Sequence, residues 1–267
     1  MYKRPQGSYA IDGNAVQRIL EDGANPLTVI ARSIQARNSI LDIGCGNGIL
    51  AQILNALDKE CTLDGIEPSA EAAKMAKLEY RNIHQMGLQE AKFKITTKYD
   101  HVVLADVIEH TNDPVDTLTS ASTFLEHNGC LWISVPNVAF APIRTELLNG
   151  RWEYSDWGII ERTHIRFFTH DSLLNTIKAC NMYAEEVYCL CRSPFLMEKK
   201  LQEYDVDIPT LLKLRADPLA FAYQFLVKCR ASPNRLINEN GYKVTWIGLE
   251  QHLVREYVRR RREAKRK

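Results

Sequence analysis

The sequence predicts an α/β fold built on a doubly wound, mostly parallel sheet. Three observations predict it. Short apolar runs alternate with segments of helical period between residues 39 and 135. The first run ends in a glycine cluster, Gly44-Cys45-Gly46-Asn47-Gly48, that opens onto a helical pattern. Two later strand-like stretches, Tyr183–Cys191 and Ala220–Lys228, bring the expected sheet to about seven strands.

The elements follow in order. Residues 15–37 read as helical, with a break at Gly23-Ala24-Asn25-Pro26. Ser39–Ile43 is the first strand, and Gly48–Leu57 carries helical apolar spacing (Ile49, Leu50, Ile53, Leu54, Leu57). Cys61–Ile66 is a second strand. Ser69–Tyr80 is a helix, with Ser69 as its N-cap after Pro68. A weaker strand falls within Asn82–Ile95, and a clear one at His101–Ala105. Pro114–Glu126 reads as a helix closed by Asn128-Gly129, and Cys130–Val135 as a strand stopped by Pro136. Residues 138–168 are rich in Trp, Tyr, Arg and Glu without clean periodicity, and a helix follows at Asp171–Cys180. Pro194–Asp217 reads as a helical excursion. The expected organisation is a helical segment over 1–38 and a main domain over 39–230. That domain carries a lid over 138–169 and the excursion over 192–218, and a basic helical extension follows over 231–267.

A chain of 267 residues with 45% hydrophobic and 25% charged residues can bury a full core. A formal net charge of +1 gives no reason to expect a nucleic-acid partner. The charge is uneven, with about +5 gathered in residues 249–267. The cysteines form no CxxC pair and have no histidine at zinc spacing, so no metal is expected. Cys189 and Cys191 share one strand face, which reads as packing. An odd cysteine count, no apolar leader and no spanning run fit a reduced, cytoplasmic chain.

In parallel sheets, ligands sit at the carboxyl ends of the strands. The decisive segment is Leu41-Asp42-Ile43-Gly44-Cys45-Gly46-Asn47-Gly48. A dinucleotide fingerprint wants a third small residue where this chain has Ile49, and here an acid, Asp42, precedes the glycines within the strand. About twenty residues on, at the spacing of a ribose-binding acid, stands Glu67 in Asp64-Gly65-Ile66-Glu67-Pro68-Ser69. This constellation resembles class I S-adenosylmethionine-dependent methyltransferases, whose first motif reads much like LDIGCGNG. The resemblance implies a seven-stranded Rossmann-like sheet and S-adenosylmethionine as cofactor. It implies cofactor contacts from Asp42, Gly44, Cys45, Gly46, Gly48, Glu67 and Pro68, and from Asp106 and Val107 after the fourth strand. One departure is visible. After the third strand, Met86-Gly87-Leu88-Gln89-Glu90 has no acid clearly placed for the adenine amine, which leaves backbone or Gln89 for that contact.

The run Gly158-Ile159-Ile160-Glu161-Arg162-Thr163-His164-Ile165-Arg166-Phe167-Phe168, with Asp217-Pro218-Leu219-Ala220-Phe221, resembles a subgroup found with glycosyltransferases in surface-polysaccharide pathways. The subgroup implies O-methylation of a sugar hydroxyl, on a small acceptor linked to a lipid or a nucleotide. Removing an alcohol proton calls for a base near neutrality, and the two candidates are His164 in the lid and His110 after strand four. His164 is the favoured base, with His110 lining the pocket or sharing the role; alternatively His164 and Arg166 anchor the loop. Asn137, Arg166, Trp152 and Tyr154 are the expected substrate contacts. Arg144, Arg151 and Arg166 can grip an anion or pair with Glu146, Glu153 and Glu161. Trp152, Tyr154 and Trp157 can stack on a sugar or form lid core. Leu249, Leu253 and Tyr257 fall at helical spacing beside arginines, so the tail reads as a peripheral membrane contact or as a solvated terminus. Three further readings stand beside the leading one. They are methylation of a quinone-type phenol or an amine, a binding module without chemistry, and, more distantly, a nicotinamide oxidoreductase.

Overall fold

The computed structural model describes residues 14–194, 207–231 and 242–248. Two short helices, α1 (Ala15–Glu21) and α2 (Pro26–Ser33), flank the predicted break; Asn25 caps α2 by accepting from Leu27 N, with Pro26 at the first position. The alternation then runs β1 (Ser39–Ile43), α3 (Ile49–Ala56), β2 (Thr62–Ile66), α4 (Ala70–Ala76), β3 (Asn82–His84), α5 (Leu88–Lys94), β4 (Tyr99–Ala105), α6 (Pro114–Ser122) and β5 (Leu125–Pro136). Ser69 caps α4 through Ala72 N as its sequence position implied. After β5 come α7 (Ala141–Leu148), α8 (His170–Ala179), β6 (Met182–Cys191), α9 (Ile208–Ala216), β7 (Ala222–Ala231) and β8 (Lys243–Ile247).

The sheet order is β3-β2-β1-β4-β5-β7-β6-β8. Strands β1 to β5 are mutually parallel, and β7 runs antiparallel to both β5 and β6. No residue of the central strands β1 and β4 is exposed, as befits strands covered on both faces. Buried side chains fall into two clusters across the sheet, one holding Leu41, Leu104, Leu118 and Phe225, the other Ile40, Leu54, Val103 and Trp132.

The weak strand expected within Asn82–Ile95 is the three-residue β3, and α5 takes up the rest of that stretch. Three differences from the sequence reading have physical causes. Asn128-Gly129 does not close α6; it lies inside β5, which begins at Leu125, and a Cβ at Gly129 would meet the Glu126 backbone at 3.1 Å. The aperiodic 138–168 region hides α7. Among the described residues the sheet has eight strands, not seven, since Lys243–Ile247 pairs in parallel with β6. Part of the expected C-terminal extension is therefore sheet edge. The basic run at 249–267 and residues 195–206 of the expected excursion lie outside the described residues, and the described part of the excursion holds α9 as the helical reading implied. Cys189 and Cys191 are buried free thiols, as packing residues are.

Candidate active site

The glycine turn forms because three of its residues adopt left-handed backbone: Gly44 (φ 72°), Gly46 (φ 55°) and Gly48 (φ 89°). Space constrains two of them as well. A Cβ on Gly44 would lie 2.8 Å from Val107 Cγ2, and one on Gly48 3.1 Å from the Ala76 backbone. The turn is tied to β2 by the Gly44 N–H, which donates to Ile66 O at 2.8 Å. Glu67 grips it from the neighbouring strand end: Oε2 accepts from Gly46 N at 3.0 Å and Oε1 from Ser69 N at 2.8 Å. Glu67 is thus buried and fixed before any ligand arrives.

A cavity of about 680 Å³ opens above the carboxyl ends of β1, β2 and β4. Gly44, Gly46, Glu67, Pro68, Asp106, Val107 and His110 line it, so seven of the residues expected from sequence converge there. Gly87, Leu88 and Gln89 line it too, which brings the segment left open for adenine to the cavity wall. The Gln89 amide is held by Asp116 and by Ser120 Oγ (3.3 Å). Asp106 has left-handed backbone (φ 56°), a costly conformation for a non-glycine residue. Its carboxylate accepts from Ser134 Oγ (3.2 Å) and Gln224 Nε2 (2.5 Å), which clamp it.

Asp42, Cys45 and Gly48 are not among the residues lining the cavity. Asp42 is buried beneath the turn and accepts from Tyr80 O–H at 2.6 Å. Burial, against the Tyr80 hydrogen bond and with help from the Glu67 charge, pushes its carboxyl up to about 7. An acid that holds its proton more tightly folded than unfolded contributes less stability as pH rises from about 4 to about 7. Asp42→Asn still accepts from Tyr80 and cannot ionise. The expected result is that the variant gains on the wild type across that range; urea unfolding measured between pH 4 and pH 7 checks it, and parallel profiles would refute it.

The substrate side departs further from expectation. Asn137 does not face a ligand. Its Nδ2 donates to Leu219 O (3.1 Å) and Ala222 O (2.7 Å), and its Oδ1 accepts from Ala139 N (2.9 Å), so it pins the β5 end to the turn before β7. Asn137→Ala is expected to lower unfolding free energy by about 2–3 kcal/mol, the cost of stranding buried partners, with little change in cofactor affinity. Denaturant unfolding and calorimetry together read both. Trp152 packs edge-on against Tyr154 and Phe167 within a lid core of Phe140, Ile143, Ile159 and Ile160, so it is lid core rather than a stacking face. Tyr154 and Trp157 are exposed. Arg166 donates to Asn112 O, Arg151 pairs with Glu146 (2.7 Å), and Arg144 pairs with Asp217 (2.6 Å) rather than with an acid beside it in sequence.

The lid is closed onto strand four by backbone: Ile165 N and Arg166 N both donate to Glu109 O, at 2.9 and 3.0 Å. This clasp brings His164 to His110, with ring centroids 4.7 Å apart. Sequence reading missed the third member, Glu109. One ligand-capable atom from each of Glu109, His110 and His164 falls within 4.8 Å of the others. Glu109 is buried and neither carboxylate oxygen has a hydrogen-bond partner. Burial, reinforced by the Asp106 charge, holds its carboxyl well above the usual carboxylate range. Its neighbour in sequence, His110, was the one available signal, since a shared short turn places both at the same strand end. The expected absence of a metal site rested on linear spacing, and this cluster is assembled from separate elements.

The arrangement fits the cofactor on its own terms: a glycine turn, a fixed carboxylate beside it, and a cavity joining them to His110. The sequence profile described as "Methyltransferase domain" matches residues 16–186. This chain belongs to that family. The methyltransferase is 29% identical to the ubiquinone biosynthesis O-methyltransferase of Nitrosomonas europaea over 38% of this chain and 45% of that protein. It is 24% identical to the enzyme of that name from Saccharophagus degradans over 72% of this chain and 84% of that one. The chain spans less than half the length of several such relatives. Among solved structures, magnesium protoporphyrin IX methyltransferase from Synechocystis PCC 6803 with bound SAH superposes with a TM-score of 0.54 at 10% identity, covering 84% of this methyltransferase and 89% of that chain. The fold and the membership of a methyltransferase family are thereby fixed. No helix among the described residues is long and apolar enough to cross a membrane.

Proposed function

We propose that this methyltransferase methylates a hydroxyl group, and that the hydroxyl is a phenol on a quinone-type acceptor. The observation that carries the reading is the Glu109, His110 and His164 cluster beside the cofactor cavity. An amine is nucleophilic once unprotonated, whereas a hydroxyl needs help losing its proton as the bond forms. Both imidazoles are oriented to give it. His164 Nδ1 lies 2.8 Å from Ile159 O and His110 Nδ1 3.1 Å from Thr163 O. A carbonyl accepts only, so each Nδ1 is the donor, and Nε2 is the atom left to take a proton when the ring is neutral.

S-adenosylmethionine supplies a methyl group bonded to a positively charged sulfur. Glu67 and the Gly46 turn would hold its nucleoside, the Gly87–Gln89 wall would meet its adenine, and Asp106 with Val107 would border the end nearest His110, all of them lining the one cavity. The lid is held beside that end by its two hydrogen bonds to Glu109 O.

Two features favour an apolar aromatic acceptor. Leu147, Leu148, Tyr154, Trp157 and Ile165 expose large apolar surface on the lid segment, and the relatives above carry the name ubiquinone biosynthesis O-methyltransferase. A lipid-soluble acceptor would also give the basic residues 249–267 reason to meet an anionic membrane surface. Exposed Tyr154 and Trp157 favour a second reading, a sugar hydroxyl on a glycan intermediate, since aromatic faces stack on sugar rings. That reading loses support where Trp152 and Asn137 turn inward. Labelled cofactor offered with dihydroxybenzene acceptors bearing an alkyl tail, nucleotide sugars and lipid-linked glycans separates them. Transfer to the dihydroxybenzenes is expected. Transfer confined to the sugars selects the second reading, and cofactor binding with no transfer selects a non-catalytic module.

A further inference from the structure

We propose that Glu109, His110 and His164 bind one divalent transition-metal cation of the zinc class, which holds the acceptor oxygen. The inference rests on the hydroxyl reading above for its role, but not for its existence. Two imidazole nitrogens and one carboxylate are a donor set that binds such ions and leaves a coordination position open to substrate.

Three observations converge. First, one candidate donor atom from each residue lies within 4.8 Å of the others, so small side-chain rotations bring all three to the ~2.0–2.2 Å that zinc takes from nitrogen and carboxylate oxygen. Second, both histidines have the outer partner that metal-binding imidazoles have: a backbone carbonyl on Nδ1, from Ile159 and from Thr163, which fixes the ring and leaves Nε2 as the donor atom for a cation. Third, Glu109 is 1% exposed and both of its oxygens are buried without a hydrogen bond. A buried carboxylate left unpaired is costly, and a cation between it and the two rings removes that cost. Glu161, whose Oε2 is 3.9 Å from His164 Nε2, adds negative charge at the rim.

His110 also lines the cofactor cavity, so an acceptor oxygen entering from the cavity can complete the coordination. There the cation lowers the pKa of the hydroxyl. With both imidazole lone pairs on the cation, the help with proton loss comes from the cation and not from a histidine base: the O–H proton passes to water, an oxygen lone pair forms the bond to the methyl carbon, and the carbon–sulfur bond breaks onto sulfur, leaving a neutral thioether.

The test uses the full chain, stripped with a chelator and titrated with Zn²⁺ by calorimetry. One saturable site per chain is expected. Glu109→Gln, His110→Ala and His164→Ala should each weaken it at least ~10-fold, while His127→Ala, an exposed histidine away from the cluster, should not. S-adenosylhomocysteine titration of each variant reports folding and the cofactor site separately. Lost cofactor binding by the wild type would overturn the methyltransferase reading; intact cofactor binding with no Zn²⁺ site, or with a site indifferent to the three substitutions, would overturn this proposal alone. Should the variants not fold, the visible spectrum of the Co²⁺-loaded wild type decides. Intense bands of a four-coordinate nitrogen-containing site are expected, and the weak spectrum of hexa-aqua Co²⁺ would refute the site.

Discussion

Replacing His164 by alanine is expected to lower kcat by ~10²–10⁴-fold, the range for losing a group that assists proton removal, while cofactor affinity stays within a few-fold. The expectation follows from position. His164 is buried, its Nδ1–H is spent on Ile159 O, and its ring meets His110 at 4.7 Å beside the cavity. His164 does not itself line the cofactor cavity, so the nucleoside site should remain as it is. A purely structural role makes a different prediction. If His164 only anchors the lid, then His164→Asn, whose amide can still donate to the Ile159 carbonyl, should restore much of the activity lost in the alanine variant. If its Nε2 lone pair is used, whether for a proton or for a cation, His164→Asn should be nearly as impaired as His164→Ala. Steady-state kinetics at saturating cofactor, with both variants side by side, separates the two. Equal turnover in wild type and alanine variant would remove the cluster from the chemistry.

What could be read from the sequence, and what could not, divides along the range of the interactions involved. Gly44, Gly46, Glu67, Pro68, Asp106 and Val107 were legible because they sit at strand ends, where local pattern fixes the strand and topology fixes which end is open. Ser69 as a cap was legible for the same reason, since its hydrogen bond reaches only Ala72. Asn137 was misread because its three partners lie at Ala139, Leu219 and Ala222, two of them brought near only by the antiparallel β5–β7 pairing. Arg144 was misread likewise, its acid being Asp217 and not Glu146. Trp152 looked like a binding aromatic because aperiodic sequence gives no sign of which face is buried; the lid core of Phe140, Ile143, Ile159 and Ile160 decides that. Glu109 was passed over since a carboxylate after a strand is ordinarily solvated, and only the lid's hydrogen bonds to its own carbonyl seal it from water. The eighth strand escaped because Lys243–Ile247 is short and half-polar, a composition that suits an edge paired on one side.

The second large effect concerns the cofactor. Glu67→Ala is expected to weaken S-adenosylmethionine by about 1–3 kcal/mol, a loss of roughly 5- to 150-fold. Two losses add in the same direction. Each Glu67 oxygen already accepts one backbone N–H, Gly46 at 3.0 Å and Ser69 at 2.8 Å, and an ionised carboxylate has lone pairs to spare for two ribose hydroxyls. Removing it takes away those acceptors and also releases the Gly46 N–H that holds the turn in its left-handed form. Glutamine is not a mild replacement here. Its amide nitrogen would face one of the two backbone N–H groups, donor against donor, so Glu67→Gln should lose nearly as much as alanine. Calorimetry with both S-adenosylmethionine and S-adenosylhomocysteine tells the causes apart. The ribose is common to the two, so equal weakening is the expected result. Weakening confined to the sulfonium form would mean that Glu67 acts as a distant charge. Undiminished affinity for both would place the ribose elsewhere, because no other group in the turn offers an acceptor that the backbone has already locked toward the cavity.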